Sequence, residues 1–127
     1  VLSMLNGAIY ENLALEGGGT KGHIYMGVAL ELEKLGVLPS ITAVAGSSVG
    51  AIAALLFATG WPVSKIQERY NKLDFSSMAM GGVLDKIKVP VNLIHHFGAF
   101  KGQAFYNLFK EIVKEVTGDP NTTFKQW

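Results

Sequence analysis

The feature that most narrows the possible folds is a pair of glycine-rich turns, each directly after a short apolar run and directly before a helical one. Asn12 to Glu16 (Asn-Leu-Ala-Leu-Glu) leads into Gly17-Gly18-Gly19-Thr20-Lys21-Gly22. A helix is then predicted from about His23 to Leu35, with Met26, Leu30 and Leu35 among its apolar positions and Gly36 as a left-handed cap. Ile41 to Ala45 is a second, β-branched run that enters the tight turn Gly46-Ser47-Ser48-Val49-Gly50. Ala51 to Thr59 reads as an apolar helix stopped by Gly60 and Pro62. Strand, loop, helix, strand, turn, helix is a βαβα unit, so the fold class is α/β with a mainly parallel sheet. Strands this uniformly apolar predict a sheet covered on both faces.

The second half is less regular. Val63 to Leu73 has Ile66, Tyr70 and Leu73 on one side, as an amphipathic helix does. Phe75 to Phe100 is apolar without a period, and holds Met78, Met80, Gly81-Gly82, Pro90 and the pair His95-His96. Beyond Gly102, Phe105, Leu108, Phe109, Ile112, Val113 and Val116 recur at steps of three and four, which predicts a long helix ending near Gly118. No internal repeat or linker is visible.

Bulk properties exclude several function classes. With 127 residues the chain is long enough for one domain with a hydrophobic core. A net charge of +1 without a Lys/Arg cluster argues against nucleic acid as a partner. The absence of cysteine removes disulfides, thiolate catalysis and Cys-ligated zinc. No metal site or cofactor is expected. The opening Val1-Leu2-Ser3-Met4-Leu5 has no basic stretch and no Ala-x-Ala pattern follows, so no signal peptide is expected. The longest apolar run, Ala51 to Ala58, falls far short of the roughly 20 residues of a membrane span. The localisation expected is soluble, in the cytoplasm or peripherally at a membrane, and a start on Val is expected of a processed or excised piece.

Gly46-Ser47-Ser48-Val49-Gly50 fits G-x-S-x-G with Ser48 central, in the strand–turn–helix setting that gives that motif its meaning. A serine on so sharp a turn is forced into a strained conformation that lifts its Oγ clear of the sheet. The helix that follows aims its N-terminal dipole at charge developing during attack. Ser48 is therefore the candidate nucleophile. Its setting consists of Gly46, Ser47, Val49 and Gly50.

The earlier loop admits two readings. Gly17-Gly18-Gly19-Thr20-Lys21-Gly22 matches G-x-G-x-x-G after a strand, the dinucleotide fingerprint. That reading needs an acid at the end of the second strand, where Ala45-Gly46-Ser47 stands instead. The other reading is an oxyanion hole, in which consecutive glycine N–H groups cradle a negative oxygen. Adjacent parallel strands would bring both loops to one carboxyl edge, as nucleophile and oxyanion donors.

A base for Ser48 is harder to find. His23 reads as a packing or surface residue beside the glycine loop. Asp85 with His95 or His96 matches the chain order of an α/β-hydrolase triad, but that fold places several strands before its elbow and here there is one. Asp74, Asp85 and Asp119, the only aspartates, sit at expected helix ends and turns.

Leu15-Glu16-Gly17-Gly18-Gly19-Thr20-Lys21-Gly22, then Met26 to Gly36, then Ala45-Gly46-Ser47-Ser48-Val49-Gly50-Ala51-Ile52, resembles the start of a patatin-like phospholipase domain. The likeness is dense from about residue 12 to 60 and looser to the end. It implies a three-layer α/β/α sandwich, present here in part, and lipid acyl hydrolysis by a Ser–Asp dyad without histidine. Ser48 carries over as nucleophile, Gly17, Gly18 and Gly19 as oxyanion donors, and Lys21 with Gly22 as the basic position of the loop. Glu16 stands where the family commonly has aspartate. The dyad aspartate is expected before Gly-Gly or Gly-Ala, and no aspartate here precedes glycine. Residues 1–127 thus read as the amino-terminal portion of such a domain, with the aspartate beyond Trp127 and the rest of the domain needed for activity. The implied substrate is a phospholipid or other fatty acyl ester, met at a membrane surface. A catalytically incomplete module for lipid or partner binding is the alternative.

Overall fold

A computed structural model of the chain describes residues 10–73 and 102–127. The expectations placed on Asp74, Asp85, His95, His96 and the segment 75–100 fall outside those residues. The chain divides into two compact units, Val1–Leu73 and Asp74–Trp127.

In the first unit, β1 (Asn12–Leu15) is followed by a 3-10 turn (Gly19–His23) and helix α1 (Ile24–Lys34). A second 3-10 turn (Leu38–Ser40) returns the chain to β2 (Ala43–Gly46), and helices α2 (Val49–Ala58) and α3 (Val63–Asn71) complete the unit. The two strands pair in parallel, Asn12 with Ala43 through Leu15 with Gly46. The α/β class is therefore as the sequence predicts. The return onto β1 is fastened by Thr42 and Ala43 N–H groups donating to the Glu11 carbonyl at 2.8 and 3.0 Å, and by the Ser40 hydroxyl donating to that of Tyr10. Helix α1 closes on Gly36 at φ +66°, with the Gly36 N–H on the Glu33 carbonyl and that of Val37 on Leu32. That pair of bonds is the glycine-capped ending expected of the sequence.

Helix α2 is apolar throughout and lies on the sheet. Ala53 and Ala54 form a core with Leu15, and Leu13, Val44, Tyr25 and Phe57 pack against it. The alanines let the helix axis come close, and the alternation of the strands supplies Leu13, Leu15 and Val44 to that side. The opposite side carries Asn12, Ala14, Ala43 and Ala45, all exposed among the described residues. Among the described residues, period-2 alternation places the large side chains on the α2 side and the small ones on the other. Helix α1 forms where the sequence predicts it. Its buried residues are Met26 and Ala29, whereas Leu30 is 36% exposed.

Helix α3 packs against α1, burying Val63, Ile66 and Tyr70. Tyr70 is fully buried, with the His23 ring edge-on at 5.5 Å. Burial, and then the nearby Tyr25, push the Tyr70 hydroxyl up to about 12. Up to about pH 10 both folded and unfolded chains keep this phenol neutral; above that only the unfolded chain ionises. Stability is therefore lost as pH rises from about 10 to about 12, by about 1–3 kcal/mol from this group. Urea midpoints across that window should fall less steeply in Tyr70→Phe than in wild type. Parallel slopes would exclude the effect.

The second unit contains α4 (Gln103–Thr117), which ends on Gly118 at φ +84°. Leu108 and Ile112 are buried, and Phe105, Phe109, Val113 and Val116 are half-buried, which is the predicted face. Thr117, Asp119 and Thr122 tie the following turn together by hydrogen bonds. No helix of the described residues is long and apolar enough to cross a membrane.

Candidate active site

The carboxyl ends of β1 and β2 lie side by side, since Leu15 pairs with Gly46. Both glycine turns therefore leave the sheet at one edge. Open α/β sheets bind ligands at such an edge.

Ser48 stands between β2 and α2 with φ 50° and ψ −125°, the only non-glycine residue at positive φ among those described. The strain arises because the chain must turn from strand to helix within two residues, Ser47 and Ser48. The turn is fastened by the Ser47 N–H donating to the Leu15 carbonyl at 3.1 Å, and by Gly50 N–H donating to the Ser47 carbonyl at 2.8 Å. Ser48 is exposed, and its side chain makes no capping bond to α2. Val49 and Gly50 are buried beneath it.

The glycine loop lies directly against this turn. A Cβ on Gly17 would stand 3.1 Å from the Ser48 Cβ and 3.4 Å from the Ser47 carbonyl oxygen. A side chain at this position would be crowded against the elbow. Gly17, Gly18 and Gly19 are exposed, and the Lys21 N–H donates to the Gly18 carbonyl at 3.1 Å. Lys21 is exposed in the 3-10 turn, whereas Gly22 is buried where a Cβ would strike Val49 and the Tyr70 hydroxyl. The structure thus brings together Gly17, Ser47, Ser48, Val49 and Gly50, with Gly22 as the point where the loop rests on α2.

His23 is exposed, with its ring against Tyr70, in agreement with a packing or surface role. Asp119 lies in the second unit and accepts a hydrogen bond from the Asn121 N–H at 2.9 Å, an ordinary Asx turn. Among the described residues no group of three or more His, Cys, Asp or Glu could hold a metal.

One contact has no counterpart in the sequence reading. The Tyr25 hydroxyl donates to the Glu16 carbonyl, the last peptide oxygen before the glycine loop. Periodicity marks Tyr25 only as a helix position. A tyrosine in the first turn of a helix that follows a glycine loop is the one available hint.

Residues 13–126 match the family model described as patatin-like phospholipase. An uncharacterized protein, R571, of Acanthamoeba polyphaga mimivirus is 27% identical over 117 residues, covering 91% of this chain and 38% of that protein. The cUMP-AMP-activated phospholipase of Escherichia coli is 31% identical over 115 residues, covering 88% of this chain and 31% of that protein. A Chlorobaculum parvum protein named UDP-N-acetylglucosamine–N-acetylmuramyl-(pentapeptide) pyrophosphoryl-undecaprenol N-acetylglucosamine transferase is 31% identical over 103 residues. That match covers 80% of this chain and 26% of the relative. The chain therefore spans about a third of the length of the curated relatives it matches. No solved structure gives a significant match.

Proposed function

Since the chain belongs to the patatin-like phospholipase family, we propose that Ser48 is the nucleophile of a lipid acyl hydrolase of the phospholipase A type. The observation that carries this reading is the contact of Gly17 with Ser48, a strained serine at the sheet edge it shares with the glycine loop. The strained φ of Ser48 holds its hydroxyl proud of the turn, where an ester carbonyl can reach it. An aspartate downstream of Trp127 takes the Oγ proton as Oγ attacks the carbonyl carbon. The N–H groups of Gly17, Gly18 and Gly19 receive the resulting oxyanion, helped by the N-terminal dipole of α2. The lysophospholipid or alcohol leaves with a proton, and water then releases the fatty acid from the acyl-enzyme.

Lys21, exposed beside the loop, adds positive charge next to the ester. The phospholipase relative in Escherichia coli supports a lipid ester as substrate, and such substrates are met at a lipid surface. Residues 1–127 act here as the amino-terminal portion of the catalytic domain.

The alternative, a module that binds lipid or a partner without catalysis, is favoured by the lack of any Asp-Gly in the chain. A fluorophosphonate probe separates the two readings in the full-length protein. Wild type should be labelled and should release fatty acid from phosphatidylcholine vesicles, and Ser48→Ala should do neither. Absence of labelling in folded wild type would favour the binding module.

A further inference from the structure

Two consecutive carbonyls close on the base of the elbow. A Cβ on Gly50 would stand 2.4 Å from both the Leu15 and the Glu16 carbonyl oxygens. The Leu15 oxygen accepts the Ser47 N–H, which ties β1 to the elbow. The Glu16 oxygen accepts the Tyr25 hydroxyl, which ties the end of β1 to α1. The β1 terminus is therefore held from two sides, by the turn that carries Ser48 and by the helix that follows the glycine loop.

The second tie bears on chemistry because of the geometry of one peptide bond. Glu16 C=O and Gly17 N–H belong to the same planar trans peptide and point in opposite directions. Fixing the oxygen fixes the direction of the N–H. Without a restraint this peptide would turn easily, because Gly17, Gly18 and Gly19 have no side chains to limit rotation. Gly17 is also the loop residue in contact with Ser48. We propose, resting on the oxyanion role given to the glycine loop above, that Tyr25 is a positioning residue of this site. Its hydroxyl holds the Glu16–Gly17 peptide so that the Gly17 N–H stays aimed at the developing oxyanion.

The ring of Tyr25 packs against the α2–sheet core, so Tyr25→Phe keeps that packing and removes only the hydroxyl. Two measurements on the full-length protein test the proposal. In backbone ¹⁵N relaxation, the Gly17 to Gly19 amides should lose order in Tyr25→Phe, falling below an order parameter of about 0.6, while the amides of β1 and α2 stay rigid. Unchanged loop order, or a loss shared equally by β1 and α2, would overturn it. In steady-state hydrolysis, kcat should fall about tenfold with KM unchanged, less than the roughly 10²–10³ seen when an oxyanion donor is removed outright. An unchanged kcat, or a loss carried by KM alone, would also overturn it. If the wild type resists the fluorophosphonate, the hydrolase reading falls, whereas the relaxation data still decide whether Tyr25 holds the loop.

Discussion

Ser48→Gly is expected to lose at least about 10⁴-fold in lipid ester hydrolysis while becoming more resistant to unfolding than the wild type. The two effects come from different atoms. Oγ is the only nucleophile at the elbow in the proposed mechanism, so its removal leaves only binding and oxyanion stabilisation. The stability gain comes from Cβ. At φ 50° and ψ −125° a side chain is strained by about 1–3 kcal/mol. Glycine removes that strain, offset by about 0.5–1 kcal/mol for the greater freedom of the unfolded chain. A net gain of about 1 kcal/mol follows, read as a higher urea midpoint at unchanged slope. Ser48→Ala separates the two contributions, since it loses Oγ and keeps Cβ. It should be as inactive as Ser48→Gly without the rise in midpoint. A glycine variant less stable than the alanine variant would mean that the elbow is not strained at this residue.

The parts of the site that sequence could supply were those written in residue type and order. Strand, glycine loop, helix, strand and elbow follow from local apolar runs and from glycine placement, and the parallel pairing of Leu15 with Gly46 realises the shared edge. Boundaries moved by about two residues, as at β2, which begins at Ala43 and includes Gly46. The residues that differ are those whose environment is set by tertiary packing. Leu30 has the hydropathy of a core residue, yet Ala29 is the one buried, because the contact with α3 selects a face that α1 alone does not reveal. Which side of the strands meets α2 is set in a similar way. Ala14, Ala43 and Ala45 count as apolar in composition, but they alternate with the larger Leu13, Leu15 and Val44, and only the larger set meets α2. The Tyr25 contact leaves only a faint trace in the sequence. Its acceptor is a backbone carbonyl nine residues away, and a carbonyl carries no residue-type signature.

Gly50→Ala should be strongly destabilising, because like Gly46→Ala it drives a methyl into backbone atoms at the elbow. Gly50 is in the first turn of α2 at an ordinary helical φ, so alanine would be preferred there on propensity alone. The obstacle is space. The added Cβ would lie 2.4 Å from two carbonyl oxygens and 2.8 Å from the Leu15 carbonyl carbon. These are backbone atoms at the paired end of β1, not the tip of a side chain that can rotate aside. Relief requires moving α2 off the sheet, which stretches the Ser47–Leu15 hydrogen bond and loosens the core around Ala53 and Ala54. Overpacking alone costs about 1–3 kcal/mol, and a lost buried hydrogen bond adds about 1–3 more. A total of about 4 kcal/mol is a large fraction of the roughly 5–15 kcal/mol that holds a domain folded. The full-length variant should show a much lower urea midpoint and no labelling at Ser48. Gly27→Ala is the matched control, because Gly27 lies inside α1 with nothing within 4 Å of the built Cβ. That substitution should raise stability by up to about 1 kcal/mol. Similar midpoints for the two variants would show that the elbow has room to yield, and that Gly50 is a glycine for some reason other than the closeness of β1.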